Sequence, residues 1–159
     1  MKLTVNGWYT NMRFSAAHFI PSHYKCSRLH GHDYGIIINV DGEMQDGMLI
    51  DFIELKNAIR SVINEMDHKL LVPGKANIAK YNESTNEYEI SYNDKRMIIP
   101  AEYVYICDVY NTTSEELSRF VAEKVGAKIG KRKNLRSIEV SVEEGPGQGV
   151  FYSVDMRRD

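Results

Sequence analysis

His32-Asp33-Tyr34-Gly35-Ile36-Ile37-Ile38-Asn39-Val40-Asp41-Gly42-Glu43 is the stretch on which the fold turns. Tyr34, Ile36, Ile38 and Val40 recur at a period of two and predict the buried face of a strand, with Ile37 and Asn39 on the other face. Asp41-Gly42 and Asp46-Gly47 are turn signals that end it. Upstream, residues 2–19 read as extended with a break around Asn6-Gly7. Phe14, Ala16 and His18 share one parity there, and Pro21 stops the strand.

Downstream the period changes. Phe52, Leu55, Ile59, Val62, Ile63 and Met66 form a stripe at helical spacing, so residues 52–66 are expected to be helical. Asp51 stands at the N-cap position, and Glu54 completes a pattern like a capping box. A polar stretch over 73–86 precedes a hairpin expected from Tyr88–Ser91 and Arg96–Ile99 around Asn93-Asp94. A strand over 102–110 follows. A second helix is expected over 114–126, with Leu117, Phe120, Val121 and Val125 inward and Gly126 at its end. Residues 136–144 and 149–156 read as two strands joined by a Gly- and Pro-rich turn.

This order predicts one α+β domain over residues 1–159, with an antiparallel four-stranded sheet, two helices on one face and an inserted hairpin at about 73–101. The last strand leaves an open sheet edge, which favours closure into an oligomeric barrel. The 159 residues suffice for a sizeable core. At 43% hydrophobic and 26% charged, with a net charge of −2, the composition is that of ordinary globular material. No basic face for a nucleic acid is expected, and no apolar run is long enough for a bilayer. Residues 1–10 lack a basic stretch followed by an apolar core, so the expected location is the cytoplasm. In a reducing compartment the two distant cysteines, Cys26 and Cys107, are not expected to pair.

Chemistry concentrates in Phe14-Ser-Ala-Ala-His18 and Cys26-Ser-Arg-Leu-His30-Gly-His32. His30 and His32 are two apart on a strand, so both imidazoles share a face. If that strand neighbours the one ending at His18, three nitrogens converge. Three such ligands leave zinc a fourth position for water or substrate. Gly31 permits a close backbone approach or an unusual dihedral. Each histidine also has a plain reading as a satisfied polar residue. Cys26 has three readings: a small buried residue, a fourth ligand closing a structural zinc site, or a thiolate that moves a proton, with Lys25 and Arg28 nearby to lower its pKa. His23 reads as a loop residue.

Asp67-His68 closes the first helix. It can be a solvated helix end, or a carboxylate that orients an imidazole base. Thr113 reads as an N-cap with Glu116 as its capping-box partner, which leaves Glu115 without a capping role. Glu144 shares the parity of Ile138, Val140 and Val142. It either meets water at a strand end or waits for a ligand with a guanidine-like edge.

Taken together, Phe-Ser-Ala-Ala-His18, Cys26 with His30-Gly-His32, Gly47-Met-Leu-Ile-Asp51-Phe52, Asp67-His68, Thr113-Ser114-Glu115, and Glu144 with Tyr152 resemble the family of 6-pyruvoyl-tetrahydropterin and 6-carboxytetrahydropterin synthases, which adopt the tunnelling fold. The resemblance covers most of the chain. It implies zinc on His18, His30 and His32. It implies Cys26, Asp67 and His68 as the proton-transfer group and its partners. It implies Glu144 as the anchor of a pterin ring, with Thr113, Ser114 and Glu115 in the same pocket. It further implies a hexamer of two stacked trimeric barrels with active sites between subunits. The substrate implied is 7,8-dihydroneopterin triphosphate.

The short gap from Cys26 to His30 resembles that of the 6-carboxytetrahydropterin synthase branch, which feeds deazaguanine nucleosides of tRNA. The pyruvoyl-forming branch usually has a longer gap. A protein that holds zinc and binds a pterin without turnover is the alternative of another class. The chain departs from the family pattern at Asp33 and Glu116, where Asn or Ser and Asn are common, and in its longer Leu71–Tyr110 region.

Overall fold

The computed structural model of the chain describes residues 1–157. Strand β1 (Lys2–Asn6) leads into one helical turn, α1 (Gly7–Thr10), and then β2 (Arg13–His18). The expected break at Asn6-Gly7 is thus a turn of helix, capped by the Asn6 side chain, which accepts from the Trp8 amide. The deciding stretch is β3 (His30–Gly42), two residues longer at its start than the alternation required.

Helix α2 (Phe52–Met66) has the expected bounds because Asp51 caps it, accepting from the Ile53 amide at 2.6 Å. Glu54 does not close a capping box; its carboxylate pairs with the Arg132 guanidinium. Strand β4 (Lys69–Pro73) follows, then β5 (Ala79–Asn82), β6 (Glu87–Tyr92) and β7 (Lys95–Pro100). Strand β8 (Val104–Cys107) is shorter than the 102–110 expectation, because Ala101–Tyr103 form a 3-10 turn before it. Helix α3 (Ser114–Ile129), β9 (Leu135–Glu143) and β10 (Phe151–Asp155) complete the chain.

Gly126 does not end α3. A Cβ there would lie 3.3 Å from Val154 Cγ1, so the glycine is selected by packing against β10. The helix stops at Gly130, whose φ of 75° suits only glycine.

The four antiparallel strands expected are present in the order β10-β9-β3-β2, but the sheet is wider. β4 pairs with β2, and β8 with β4, both in parallel, and β1 pairs with β3 beside β2. β5, β6 and β7 form a separate three-stranded sheet.

Both helices cover one face. Phe14 and Ala16 of β2, Tyr34, Ile36, Ile38 and Val40 of β3, and Ile138, Val140 and Val142 of β9 meet the stripes of α2 and α3 in one buried core. A second cluster joins Phe19, Leu70 and Val72 to Ile90 and Tyr92 of the small sheet. β4 therefore has apolar neighbours on both sides, since Leu71 belongs to the first cluster and Leu70 and Val72 to the second. Among the described residues no helix is long and apolar enough to cross a membrane.

Candidate metal centre and active site

The register of β2 against β3 builds the centre. His18 stands directly opposite His30, and Ala16 opposite His32, so His32 sits one diagonal step along the same face. Gly31 pairs with Ala17 between them, and a Cβ on it would lie 2.8 Å from the Ala16 carbonyl oxygen. The glycine is thus there for close approach.

Each histidine offers a nitrogen within 4.8 Å of the others. His18 is fully buried, and its Nδ1 lies 2.8 Å from the Thr112 carbonyl oxygen. His30 Nδ1 lies 2.7 Å from the Arg28 carbonyl oxygen. A carbonyl only accepts, so both Nδ1 atoms carry hydrogen and both Nε2 atoms present lone pairs. Those two Nε2 atoms are 3.1 Å apart. Two lone pairs at that separation repel unless a cation or a proton lies between them. His32 Nε2 is buried and has no hydrogen-bond partner. Burial pushes His18 down to about 4, against the pull of the Thr112 carbonyl and with help from His30 and His32. It is therefore neutral at physiological pH, as a metal ligand must be. The donor set fits a divalent metal with a strong preference for imidazole, zinc among them.

Glu144 leans over the triad, with Oε1 3.8 Å from His18 Nε2 and Oε2 3.7 Å from His32 Nε2. Its parity is the inward one, as the alternation of β9 predicts. A cavity of about 390 Å³ opens beside it, lined by Lys25, Cys26, Arg28, Leu29, His30, His32 and Glu144. A smaller hollow of about 190 Å³ on the other side of Glu144 is lined by Ser114, Gln148, Gly149 and Val150. Cys26 is a free, half-buried thiol, and Cys107 is free and buried, its thiol pushed up to about 12 by that burial.

The other expected site residues divide. Thr113 caps α3, accepting from the Glu116 amide, while Ser114 Oγ donates to the Val142 carbonyl at 2.5 Å and ties the helix to β9. Glu116 does not complete a capping box; it accepts from the Tyr110 amide and pairs with Arg119. Glu115 is exposed and lines neither hollow.

Asp67 is the C-cap of α2, accepts from the Ser15 amide at 2.9 Å and pairs with His68 Nδ1 at 2.9 Å. His68 has a φ of 58°, is widely exposed, and lines a shallow hollow with Ser15, Ala17, Gly31, His32 and Tyr103. Ser15, Ala17 and Gly31 have the parity opposite to the triad's, and His32 borders this hollow as well. Cys26 and Glu144 line one cavity with His30 and His32, and neither Asp67 nor His68 lines it.

Three supporting residues escaped the sequence reading. Thr112 sets the His18 tautomer through its backbone, and its buried hydroxyl donates to the Phe19 carbonyl at 2.9 Å. His23 is no ligand, but its Nδ1 accepts from the Cys26 amide at 2.9 Å and fixes the turn that carries the thiol. Glu143 is 5% exposed, on the face opposite to Glu144, and accepts from Trp8 Nε1 at 2.6 Å. Only the doubled Glu143-Glu144 could have flagged it, since its partner is 135 positions away.

The profile of the 6-pyruvoyl tetrahydropterin synthase family matches residues 8–155. A Methanocaldococcus jannaschii protein provisionally named as 6-carboxy-5,6,7,8-tetrahydropterin synthase is 31% identical over 156 residues, 96% of each chain. The Bacillus subtilis 6-carboxy-5,6,7,8-tetrahydropterin synthase is 33% identical over 147 residues, 89% of this chain and 81% of its own. Among solved structures, the Plasmodium vivax 6-pyruvoyltetrahydropterin synthase superposes with a TM-score of 0.87 at 25% identity, over 98% of each chain. With the family profile matched over residues 8–155 and the Methanocaldococcus jannaschii relative 31% identical over 96% of each chain, the chain belongs to the 6-pyruvoyl tetrahydropterin synthase family.

Proposed function

We propose that this chain is a zinc-dependent 6-carboxy-5,6,7,8-tetrahydropterin synthase that converts 7,8-dihydroneopterin triphosphate and water into 6-carboxytetrahydropterin, acetaldehyde and triphosphate, in the cytoplasmic route to deazaguanine nucleosides of tRNA. The observation that carries it is the histidine triad, two of whose tautomers are fixed by Thr112 and Arg28 carbonyls, beside a thiol and an inward carboxylate. Relatives bearing that enzyme's name support the choice of product.

His18, His30 and His32 would hold the zinc. When bound, the metal supplies Lewis acidity to the hydroxyls of the substrate side chain. Cys26 takes the proton from the side-chain carbon as thiolate. Glu144 accepts the two N–H groups of the 2-amino-pyrimidinone edge and so orients the ring. Ser114, which lines the hollow beside Glu144, would border that ring's pocket, and Thr113 and Glu115, its chain neighbours, would act from its outer side. Lys25 and Arg28, at the mouth beside Cys26, face the triphosphate. Asp67 and His68 relay the proton from a neighbouring subunit, since within one chain neither lines the cavity that holds Cys26. That requires a homo-oligomer, a hexamer of two trimeric barrels. Support for it comes from β10, an edge strand with Phe151 and Tyr152 exposed. The small sheet within 73–101 belongs to the same single domain.

The test is mass spectrometry of the products formed from 7,8-dihydroneopterin triphosphate by zinc-loaded protein. 6-Carboxytetrahydropterin with acetaldehyde is the expected result. 6-Pyruvoyl-tetrahydropterin would transfer the chain to the pyruvoyl reading, which the likeness to the Plasmodium vivax enzyme favours. Untouched substrate from zinc-containing protein would make it a pterin-binding protein instead.

A further inference from the structure

Residues 19–29 link β2 to β3, carry Cys26 and end at His30, yet belong to neither sheet. Backbone groups in such a segment need partners from elsewhere. Some are internal: the Ile20 amide donates to the Cys26 carbonyl at 2.7 Å and the Ser27 amide to the His23 carbonyl at 3.1 Å. Two more come from the tip of the β6–β7 hairpin. The Tyr92 hydroxyl, on a buried side chain, donates to the carbonyl of Ser27, the residue after Cys26, at 2.7 Å. Asn93 Nδ2 donates to the Pro21 carbonyl at 3.0 Å. The Tyr92 ring stacks on Phe19, with centroids 4.5 Å apart and planes within 7°. The hairpin therefore grips the segment at its start and just past the thiol.

We propose that the β6–β7 hairpin is a positioning device for the active-site thiol: Tyr92 and Asn93 lock the 19–29 segment so that Cys26 is held over the histidine triad. The proposal rests on the reading of Cys26 as the proton-transfer group. None of the residues lining the thiol's cavity comes from the hairpin. Tyr92 and Asn93 are positioning residues, acting through the backbone of Ser27 and Pro21. A thiol that must reach a carbon acid within bond-making distance loses rate when its loop wanders by an ångström.

Two variants separate the grip from the fold. Tyr92→Phe keeps the stack on Phe19 and removes only the donor to Ser27. Asn93→Gly keeps the positive φ of 51° that the turn requires and removes the donor to Pro21. Amide hydrogen exchange, alkylation of Cys26 by iodoacetamide, and kcat and KM are measured on the zinc-loaded full chain. In Tyr92→Phe, exchange in peptides covering 20–29 should accelerate about tenfold while the helices stay protected. Cys26 should alkylate several-fold faster, and kcat should fall about tenfold with KM within twofold. Asn93→Gly should shift the same quantities in the same direction. Unchanged exchange over 20–29 in both variants would overturn the grip. Faster exchange with kcat untouched would overturn positioning. Cys26→Ala tells the two readings apart: full activity in that variant would remove the thiol's role, whereas exchange and alkylation judge the grip without it.

Discussion

Asp67 shows how one residue serves fold and chemistry through different atoms. Its Oδ1 accepts the Ser15 amide and joins α2 to β2, while Oδ2 holds His68 Nδ1. Burial alone would raise its carboxyl, but the Ser15 amide and the His68 ring together hold it below the usual carboxylate range. Asp67→Asn keeps the acceptor for Ser15 but presents an N–H to His68, which imposes the opposite tautomer. We expect kcat to drop by about 10² or more, with a modest loss of stability at neutral pH. A depressed carboxyl adds stability above its unfolded pKa and loses it as pH falls through the folded value. The stability difference between wild type and Asp67→Asn, from urea titrations, should therefore shrink below about pH 4. The Asp67-His68 pair was visible in the sequence as a helix end with two readings. Its backbone role could not be, because Ser15 is 52 positions away.

At the scale of elements, capping and parity carried most of what could be read. Asp51 put α2 at its bounds, and the alternation of β3 and β9 put the histidines and Glu144 inward. β4 escaped because Leu70, Leu71 and Val72 all have apolar neighbours, so the strand lacks the alternation that marks a one-faced sheet. Gly126 misled because a packing glycine and a capping glycine look alike in sequence. The face of the main sheet away from the helices carries its own test. Trp8 Nε1 donates to the buried Glu143, and the Trp8 ring lies over Gly35, where a Cβ would collide with it. Trp8→Phe strips that carboxylate of its donor and should cost about 1–3 kcal/mol in urea unfolding. Gly35→Ala displaces the ring and should cost a similar amount. A loss under about 0.5 kcal/mol in both would mean that Glu143 finds another partner.

For the whole molecule, the metal should couple to stability, because the triad joins β2 to β3 and, through Thr112, to the start of α3. At free zinc 100 times its dissociation constant, stabilisation should reach about 2.7 kcal/mol. That corresponds to a Tm rise of roughly 5–10 °C by calorimetry. His30→Ala should abolish the rise, and zinc should then leave Tm unmoved. Such coupling is legible only in part from the chain. The spacing of His30 and His32, the parity of His18 and the inward Glu144 follow from the sequence itself, because strand alternation is a local, covalent property. The convergence of His18 with His30, the His18 tautomer set by Thr112, the separation of Asp67 and His68 from the cavity of Cys26, and the grip of Tyr92 on Ser27 were decided by the tertiary structure alone. Each is a pairing between segments 12 to 94 positions apart or the absence of one, and no local propensity encodes which distant backbone will arrive opposite a given side chain.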